Sequence, residues 1–455
     1  MVGLLRSKFV PALALALAVL ATAGSKAAAE SQILSDSTVI DRWQLPNGLA
    51  VVTRNVPGAR VVAVTLGYRL GSDHDPAGRE GLASLVAEVA FLSAAGEVPE
   101  RTHRELESLR PMGWDIDVSR RFTRLSELAR PDQLPGVIHQ MTARLRSVTV
   151  TQRSLNDAFA SVRGRLAQDY GERTDYALHY QVRTMAAHLP GPAIEQLASG
   201  KALQGVSVRE AQRRIAEALV PANAVLCVAG RLGELDVHRL IESECAGIPA
   251  GRKLETPSRP ALSPGRHSRP RPGITEPVGV LGIMAPALTD TLHPSFLLHT
   301  LVLASHCFEM WGRSSGPLST RFQYSILEDP ELVRFYPPVR AITDSLRLLE
   351  SFSTAVSEVG HMIIGRESYD TARRGVGWLV GDALPPEILS RVISDPTALH
   401  TMCRNSAALE MTGGEAFWSG YRRRLMETIE PTFPHWGPYL LAASHRVELM
   451  FEPRK

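Results

Sequence analysis

The segment from Gly71 to Phe91 constrains the fold of this chain more than any other. It reads GSDHDPAGREGLASLVAEVAF, in which glycine or proline at positions 71, 76, 78 and 81 interrupts regular structure before an apolar run. Apolar residues then recur at spacings of three and four, at Leu82, Leu85, Val86, Val89 and Ala90. Such spacing places them on one face of a helix. The segment therefore predicts a turn that leads into a helix with one face in the core.

The glycine-punctuated turn, the Gly-Leu-Ala sequence and the helix that closes on Phe91 resemble the active-site helix of the insulinase-like (pitrilysin) metallopeptidases. In that family an inverted motif, His-x-x-Glu-His, supplies two zinc ligands and the general base. Aligned on Gly81 and Phe91, this chain has Ser84 at the first histidine, Ala87 at the glutamate and Glu88 at the second histidine. The resemblance therefore implies the family's frame with a degenerate motif.

The family's third zinc ligand, a glutamate on a later helix, should fall near Arg165. The predicted helix over residues 153–169 contains no glutamate. A serine hydroxyl and one carboxylate do not replace two imidazoles as ligands, so we expect no catalytic residue, no metal ligand and no cofactor in this chain. Zinc is expected only in a partner subunit.

Ser84 could instead be a nucleophile, which would require a base and oxyanion donors. Within the predicted helix, Glu88 is the only titratable group near it. We expect Glu88 to accept a hydrogen bond from Ser84 or to form a salt bridge with another helix.

The order of the predicted elements favours an α+β fold. In the first half, strands at 38–45, 49–55 and 61–70 precede the helix at 81–95, and two extended runs, Trp114–Ser119 and Phe122–Leu128, precede most of the remaining helices. A two-domain α/β protein with parallel sheets would alternate strands and helices more regularly. The resemblance implies two homologous lobes, each a mainly antiparallel sheet with helices packed on one face.

Composition divides the chain into four parts. Residues 1–29 have Arg6 and Lys8 before an apolar run and three alanines up to Ala29, which is typical of a signal peptide. Residues 30–255 form the N-terminal lobe, 256–273 a linker rich in proline, serine and arginine, and 274–455 the C-terminal lobe. We expect a periplasmic or secreted protein after cleavage near Ala29, without a stable membrane span. An uncleaved N-terminal anchor is the alternative.

Charge and cysteine content exclude some classes of protein. Removal of residues 1–29 takes away three basic residues and no acidic one, so the formal charge falls from +3 to zero. We therefore expect no nucleic-acid partner. The cysteines form no Cys-x-x-Cys pair, which argues against a zinc ribbon; they are Cys227, Cys245, Cys307 and Cys403. A disulfide between Cys227 and Cys245 is the alternative, but a buried thiol is the expected state of Cys227.

Several other polar residues have a functional and a structural interpretation. In active relatives the second lobe supplies an arginine and a tyrosine; the matching positions here are Leu327 and Arg334, with Tyr336 nearby. Whether Arg334 or Tyr336 contacts substrate is left open.

Histidines and acidic residues elsewhere favour structural roles. His299 and His306 lie two helical turns apart, too far for joint chelation, so both are expected in the core or at its boundary. Asp73, His74 and Asp75 could bind a hard cation, but a solvated turn is the preferred interpretation.

The resemblance implies a non-catalytic member of the insulinase-like family. We expect it to pair with an active metallopeptidase subunit, as a heterodimer, or with itself, and to help form a chamber that binds unfolded peptide. Peptide is expected to add as a strand along the edge run that contains Asp115, Ile116 and Asp117. The alternatives are an active zinc peptidase with unrecognised ligands, and a solitary peptide-binding protein.

Overall fold

The computed structural model describes residues 39–110, 112–187, 194–255, 257, 261–311, 321–338, 348–361, 366–380, 386–428 and 433–454. The signal peptide predicted over residues 1–29 lies outside these ranges.

Within the described residues, the first half of the chain builds a sheet of six strands. They are β1 (Val39–Gln44), β2 (Ala50–Asn55), β3 (Val62–Tyr68), β4 (Trp114–Val118), β5 (Thr123–Ala129) and β6 (Ala224–Gly230). Their spatial order is β1-β2-β6-β3-β5-β4, and every neighbouring pair is antiparallel except β2 and β6. The sheet is mainly antiparallel, as expected, and β4 is an edge strand.

The same half of the chain also forms eight α-helices within the described residues. They are α1 (Leu82–Leu92), α2 (His103–Leu109), α3 (Leu134–Arg146), α4 (Gln152–Leu166), α5 (Thr174–Ala186), α6 (Ile194–Ala198), α7 (Val208–Ala218) and α8 (Val237–Cys245). The apolar face predicted for α1 is buried, and it packs with β3, β5 and α4 in one core. The turn and helix predicted over 71–91 are therefore present.

The second half builds a sheet that has five strands within the described residues. They are β7 (Gly265–Arg271), β8 (Val278–Met284), β9 (Phe322–Ser325), β10 (Asp329–Phe335) and β11 (Arg446–Pro453), in the order β7-β11-β8-β10-β9. The helices are α9 (His293–Trp311), α10 (Leu348–His361), α11 (Arg366–Leu379), α12 (Pro386–Ser394), α13 (Pro396–Thr412), α14 (Gly414–Glu427) and α15 (Phe433–Leu441). Two sheets with helices confirm the predicted α+β fold.

Each sheet also receives one helix from the other half, which the prediction of helices on one face did not include. Helix α13 packs on β3 and β6 of the first sheet, and α5 packs on β8 and β11 of the second. A glycine allows each close approach. A Cβ on Gly67 of β3 would lie 2.6 Å from Met411 Cε, and one on Gly282 of β8 would lie 3.1 Å from Val182 Cγ2. Both faces of each sheet are therefore covered, which explains why β3, β5 and β6 are buried along their whole length.

Part of the linker predicted over residues 256–273 is a β-strand. Residues 265–271 form β7, which pairs in parallel with β11 at the edge of the second sheet. The strand has no apolar periodicity because most of its side chains are exposed; its backbone, together with an ion pair between Arg266 and Glu448 at 2.6 Å, attaches it to the sheet. Pattern analysis missed this strand because it relies on side-chain burial.

Candidate functional site

Helix α1 begins at a turn that is held by the side chain of Asp75. This carboxylate accepts hydrogen bonds from the backbone N–H groups of Gly81 at 2.8 Å and Ala83 at 2.7 Å. Burial raises the pKa of Asp75 to about 7, although the two N–H groups act in the opposite direction. Asp73 forms two hydrogen bonds with Arg120. The sequence favours a solvated turn here, but in the structure the turn is partly buried. The side chains of Asp73 and Asp75 already have hydrogen-bond partners within the protein.

Glu88 is the centre of a polar cluster on the buried side of α1. Its side chain is 1% exposed. The hydroxyl of Ser161 on α4 donates to Glu88 Oε1 at 3.0 Å, and Nη2 of Arg165, one turn further along α4, donates to Oε2 at 2.8 Å. His103, at the start of α2, hydrogen-bonds through Nε2 to Oε1. Three elements of the first half thus converge on one carboxylate.

The cluster keeps Glu88 ionised. Burial alone would raise the pKa of Glu88, but the hydrogen bond with His103 and the charge of Arg165 lower it from 4.5 to about 2. Burial would likewise lower the pKa of Arg165, and the Glu88 carboxylate raises it instead. Glu88 and Arg165 therefore form an ion pair at neutral pH.

The residues of this site do not fit a zinc ion. Ser84 and Ala87, on the same helix, offer a hydroxyl and a methyl group, and Arg165 is a permanent cation that repels a metal. Glu88 is the only one of the four predicted positions with a side chain of zinc-ligand type, and its oxygens are bound by three donors. Among the residues that the structure describes, no three His, Cys, Asp or Glu side chains are grouped so that they could hold a metal ion.

Strand β4 lies beside this cluster and has one unpaired edge within the described chain. The ring of Trp114 is 5.4 Å from that of His103 and 5.7 Å from that of Phe91. Backbone bonds from Leu128 N to Gly113 O and from Ser119 N to Phe122 O fix the register with β5. Because antiparallel pairing alternates, the N–H and C=O groups of Trp114, Ile116 and Val118 point away from β5.

The three residues predicted for the peptide-binding edge therefore differ in the direction of their backbone hydrogen-bonding groups. The backbone of Ile116 points outward, whereas the backbones of Asp115 and Asp117 point at β5. The side chains of both aspartates bind Arg404 of α13, at 2.8 and 3.1 Å, and Asp117 also binds Arg124 at 2.9 Å. These carboxylates are part of the contact between the two halves.

Ion pairs continue along the boundary between the halves, where the turn between β4 and β5 meets the turn between β9 and β10. Arg120 donates to Asp329 at 2.9 Å and Arg121 to Glu331 at 2.5 Å. Arg124 donates to Glu328 at 2.5 Å. A basic hairpin of one sheet thus contacts an acidic hairpin of the other.

Arg334 and Tyr336, left open by the sequence, both lie inside the protein. Arg334 is 1% exposed and pairs with Asp329, and the hydroxyl of Tyr336 donates to Gln323 at 3.0 Å. Leu327 is buried as well. All three residues belong to the interior, so none of them lines an open surface of this chain.

The histidines and cysteines singled out from the sequence also have structural positions. His299 is buried in α9, and His306 on the same helix is 3.0 Å from Glu358. The four cysteines are buried and free, so Cys227 and Cys245 are not joined. Cys403 of α13 lies with its sulfur 3.5 Å from the carbonyl oxygen of Cys227, in the contact between the halves.

Sequence reasoning missed His103, Ser161 and Arg404. A capping box offered an indirect signal for His103: Thr102 accepts from Glu105 N, and this fixes the first turn of α2. Arg404 belongs to a helix that no pattern placed against the first sheet.

Comparison with known proteins gives the class of fold. Neither the family models nor the curated proteins match this chain. Solved structures do. A protease from Helicobacter pylori is similar over 91% of this chain and 100% of its own, with a TM-score of 0.68 and 14% identity. An inactive M16 peptidase domain from Pseudomonas fluorescens is similar over 92% and 98%, with a TM-score of 0.61 and 14% identity.

A third similar structure is a longer protein. The periplasmic protease PqqL from Escherichia coli has a TM-score of 0.63 and 13% identity, and the match covers 91% of this chain and 48% of PqqL. The chain therefore has the fold of M16-like peptidases across nearly all of its length. None of the helices in the described ranges is long and apolar enough to span a membrane.

Proposed function

We propose that this chain is a non-catalytic member of the insulinase-like metallopeptidases that binds unfolded peptide and pairs with an active zinc metallopeptidase subunit. The ion pair between Glu88 and Arg165 is the observation that carries the proposal. In the alignment, these residues occupy two of the three zinc-ligand positions, and they satisfy each other's charge without a metal.

The geometry of this pair supports the alignment itself. Arg165 was located only by its sequence distance from the motif, and Glu88 only by its frame of glycines and Phe91. Residues that bind one metal must lie close together, and these two side chains are 2.8 Å apart. Contact between these two positions is what the alignment predicts, and it supports the proposed loss of the zinc ligands.

Strand β4 supports the peptide-binding part of the proposal. Its outward backbone groups belong to Trp114, Ile116 and Val118, and an extended peptide can pair with them as a further strand. The ion pairs of Asp115 and Asp117 with Arg404 hold the strand in place. A pre-ordered edge reduces the conformational entropy that binding must offset.

The proposed pairing rests on similarity to solved structures. The chain matches about half of PqqL and almost all of a domain described as inactive. A chain that has this fold without the ligand residues suits a second, non-catalytic part of a chamber. We place it in the periplasm or outside the cell, after cleavage near Ala29.

Zinc content and peptidase activity test the loss of the metal site. The purified mature chain should contain no stoichiometric zinc and should cleave an unstructured peptide at the background rate. One zinc per chain by elemental analysis, with cleavage that a chelator abolishes, would refute the proposal in favour of an active peptidase.

Co-purification from the native envelope fraction, followed by mass spectrometry, tests the pairing. An insulinase-like subunit with an intact His-x-x-Glu-His motif should be recovered with this chain. Stable specific complexes generally bury more than ~1,000 Å², so the complex should survive gel filtration. A monomer by light scattering that recovers no metallopeptidase would favour a solitary peptide-binding protein.

A further inference from the structure

The guanidinium of Arg165 has donor capacity that the protein does not use. A guanidinium carries five N–H donors, and the hydrogen bond of Arg165 within the described residues goes to Glu88 Oε2. The Arg165 side chain is 39% exposed, whereas that of Glu88 is 1% exposed. The remaining N–H groups are sufficient for a two-pronged contact with a further carboxylate.

The carboxylates around Arg165 leave its N–H groups other than the one bound to Glu88 without a hydrogen-bond acceptor among the described residues. Three hydrogen-bond donors surround the Glu88 carboxylate, so its negative charge faces the protein interior and not the solvent. Asp115, the nearest carboxylate on β4, is bound to Arg404 at 2.8 Å. Asp169, one helical turn beyond Arg165, interacts with the positive charge of Arg173 more strongly than with that of Arg165, and Asp115 interacts with Arg404 more strongly than with Arg165. Neither carboxylate hydrogen-bonds to Arg165.

The position of Arg165 places this anion site beside the peptide-binding edge. His103 connects the two, because its Nε2 binds Glu88 and its ring lies 5.4 Å from Trp114 of β4. Side chains of an added strand alternate between the two faces of the sheet. Every second peptide side chain would therefore project to the face where α1, His103 and Arg165 lie.

We propose that Arg165 selects peptides that present a carboxylate on this face, a selectivity that rests on the proposed peptide-binding function. A zinc ion at this place would attract the neutral carbonyl oxygen of a peptide bond. A guanidinium instead pairs best with a carboxylate. The replacement of a metal ligand by arginine changes the preferred ligand from a backbone group to an acidic side chain or a peptide C-terminus.

Fluorescence anisotropy with labelled short peptides tests this selectivity without altering the protein. Each peptide is extended, serine- and threonine-rich and amidated at its C-terminus, and it carries one glutamate or, in the matched peptide, one glutamine. The glutamate is moved through successive positions. At one favourable register, the glutamate peptide should bind about twofold to fivefold more tightly, as a partly exposed ion pair allows. A second series with free C-termini separates a side-chain carboxylate from a terminal one.

Two variants locate the effect. Arg165→Gln should remove the preference for glutamate. Arg165→Lys keeps the charge but loses the planar group that can donate two parallel hydrogen bonds to a carboxylate, so it should retain part of the preference. Arg163→Gln, an exposed arginine on the same helix, is the matched control and should leave the preference unchanged. Circular dichroism verifies that each variant is folded.

The outcomes separate this inference from the proposed function. Equal affinity of the glutamate, glutamine and free-acid peptides for the wild-type chain overturns the carboxylate preference and leaves peptide binding in place. A preference that survives in Arg165→Gln also overturns it. Binding of no peptide at all overturns both the inference and the peptide-binding function.

Discussion

The substitution Glu88→Gln tests how strongly the charged cluster on α1 stabilises the fold. The pKa of Glu88 falls from 4.5 to about 2 on folding, and one pKa unit corresponds to about 1.4 kcal/mol. The ionised carboxylate thus contributes about 3 kcal/mol to the free energy of unfolding. A depressed pKa contributes stability that is fully present above pH 4.5 and is lost as the pH falls towards 2. By pH 3, about 2 kcal/mol of the contribution should be gone.

Urea unfolding of the wild type and Glu88→Gln, followed by tryptophan fluorescence between pH 7 and pH 3, measures this contribution. We expect the variant to be less stable by about 3 kcal/mol at pH 7 and the difference to shrink to about 1 kcal/mol at pH 3. Glu107→Gln, an exposed residue on the neighbouring helix, is the control and should differ by under ~0.5 kcal/mol throughout. A difference between wild type and Glu88→Gln that stays constant with pH would falsify the reasoning, because other carboxylates titrate equally in both proteins.

Three further predictions follow from the same contacts. The triple variant Ser84→His, Ala87→Glu, Glu88→His should bind zinc poorly because Arg165 opposes the metal, and adding Arg165→Glu should give about one zinc per chain; equal zinc content in both would contradict this arrangement. Asp329→Asn should cost about 3–5 kcal/mol in urea unfolding, since this buried carboxylate contacts Arg120, Arg183 and Arg334; the control Asp132→Asn removes an exposed pair and should change little. Limited trypsin digestion should cut after Arg252 or Lys253, which are exposed, before it cuts after Arg266 in β7; first cleavage at Arg266 would show that this strand is not held in the sheet.

The helices and strands of the first half could be predicted because the pattern of apolar residues along each element reflects which side chains are buried. The apolar period of α1 is a local feature, and the helix is present where predicted. The edge position of β4 came from the resemblance, and the observed strand order has it. Patterns of this kind depend on residues close in sequence.

Other features could not be predicted because they depend on contacts between distant residues. The patterns assign no element between residues 382 and 444, so α13 and its packing on the first sheet were missed. Helix α13 is buried between the two halves, and a helix buried on several sides lacks a clear amphipathic period.

The candidate site likewise has features that could be predicted from the sequence and features that could not. That Glu88 would form a salt bridge with another helix was expected, and the partner is Arg165 of α4. The contributions of His103 and Ser161 were not foreseen, because nothing in the sequence relates positions 15 and 73 residues away to one carboxylate. Convergence of this kind is determined only when the helices pack.

Helices α5 and α13 each pack on the sheet of the other half. A local change in one half therefore affects the stability of the other. If the first sheet opens, α13 loses its support, and if α5 moves, β8 and β11 lose their cover. Local openings in one half must therefore be coupled energetically to openings in the other. A peptide that binds only along β4 should slow amide hydrogen exchange in β8 and β11, strands that it never touches.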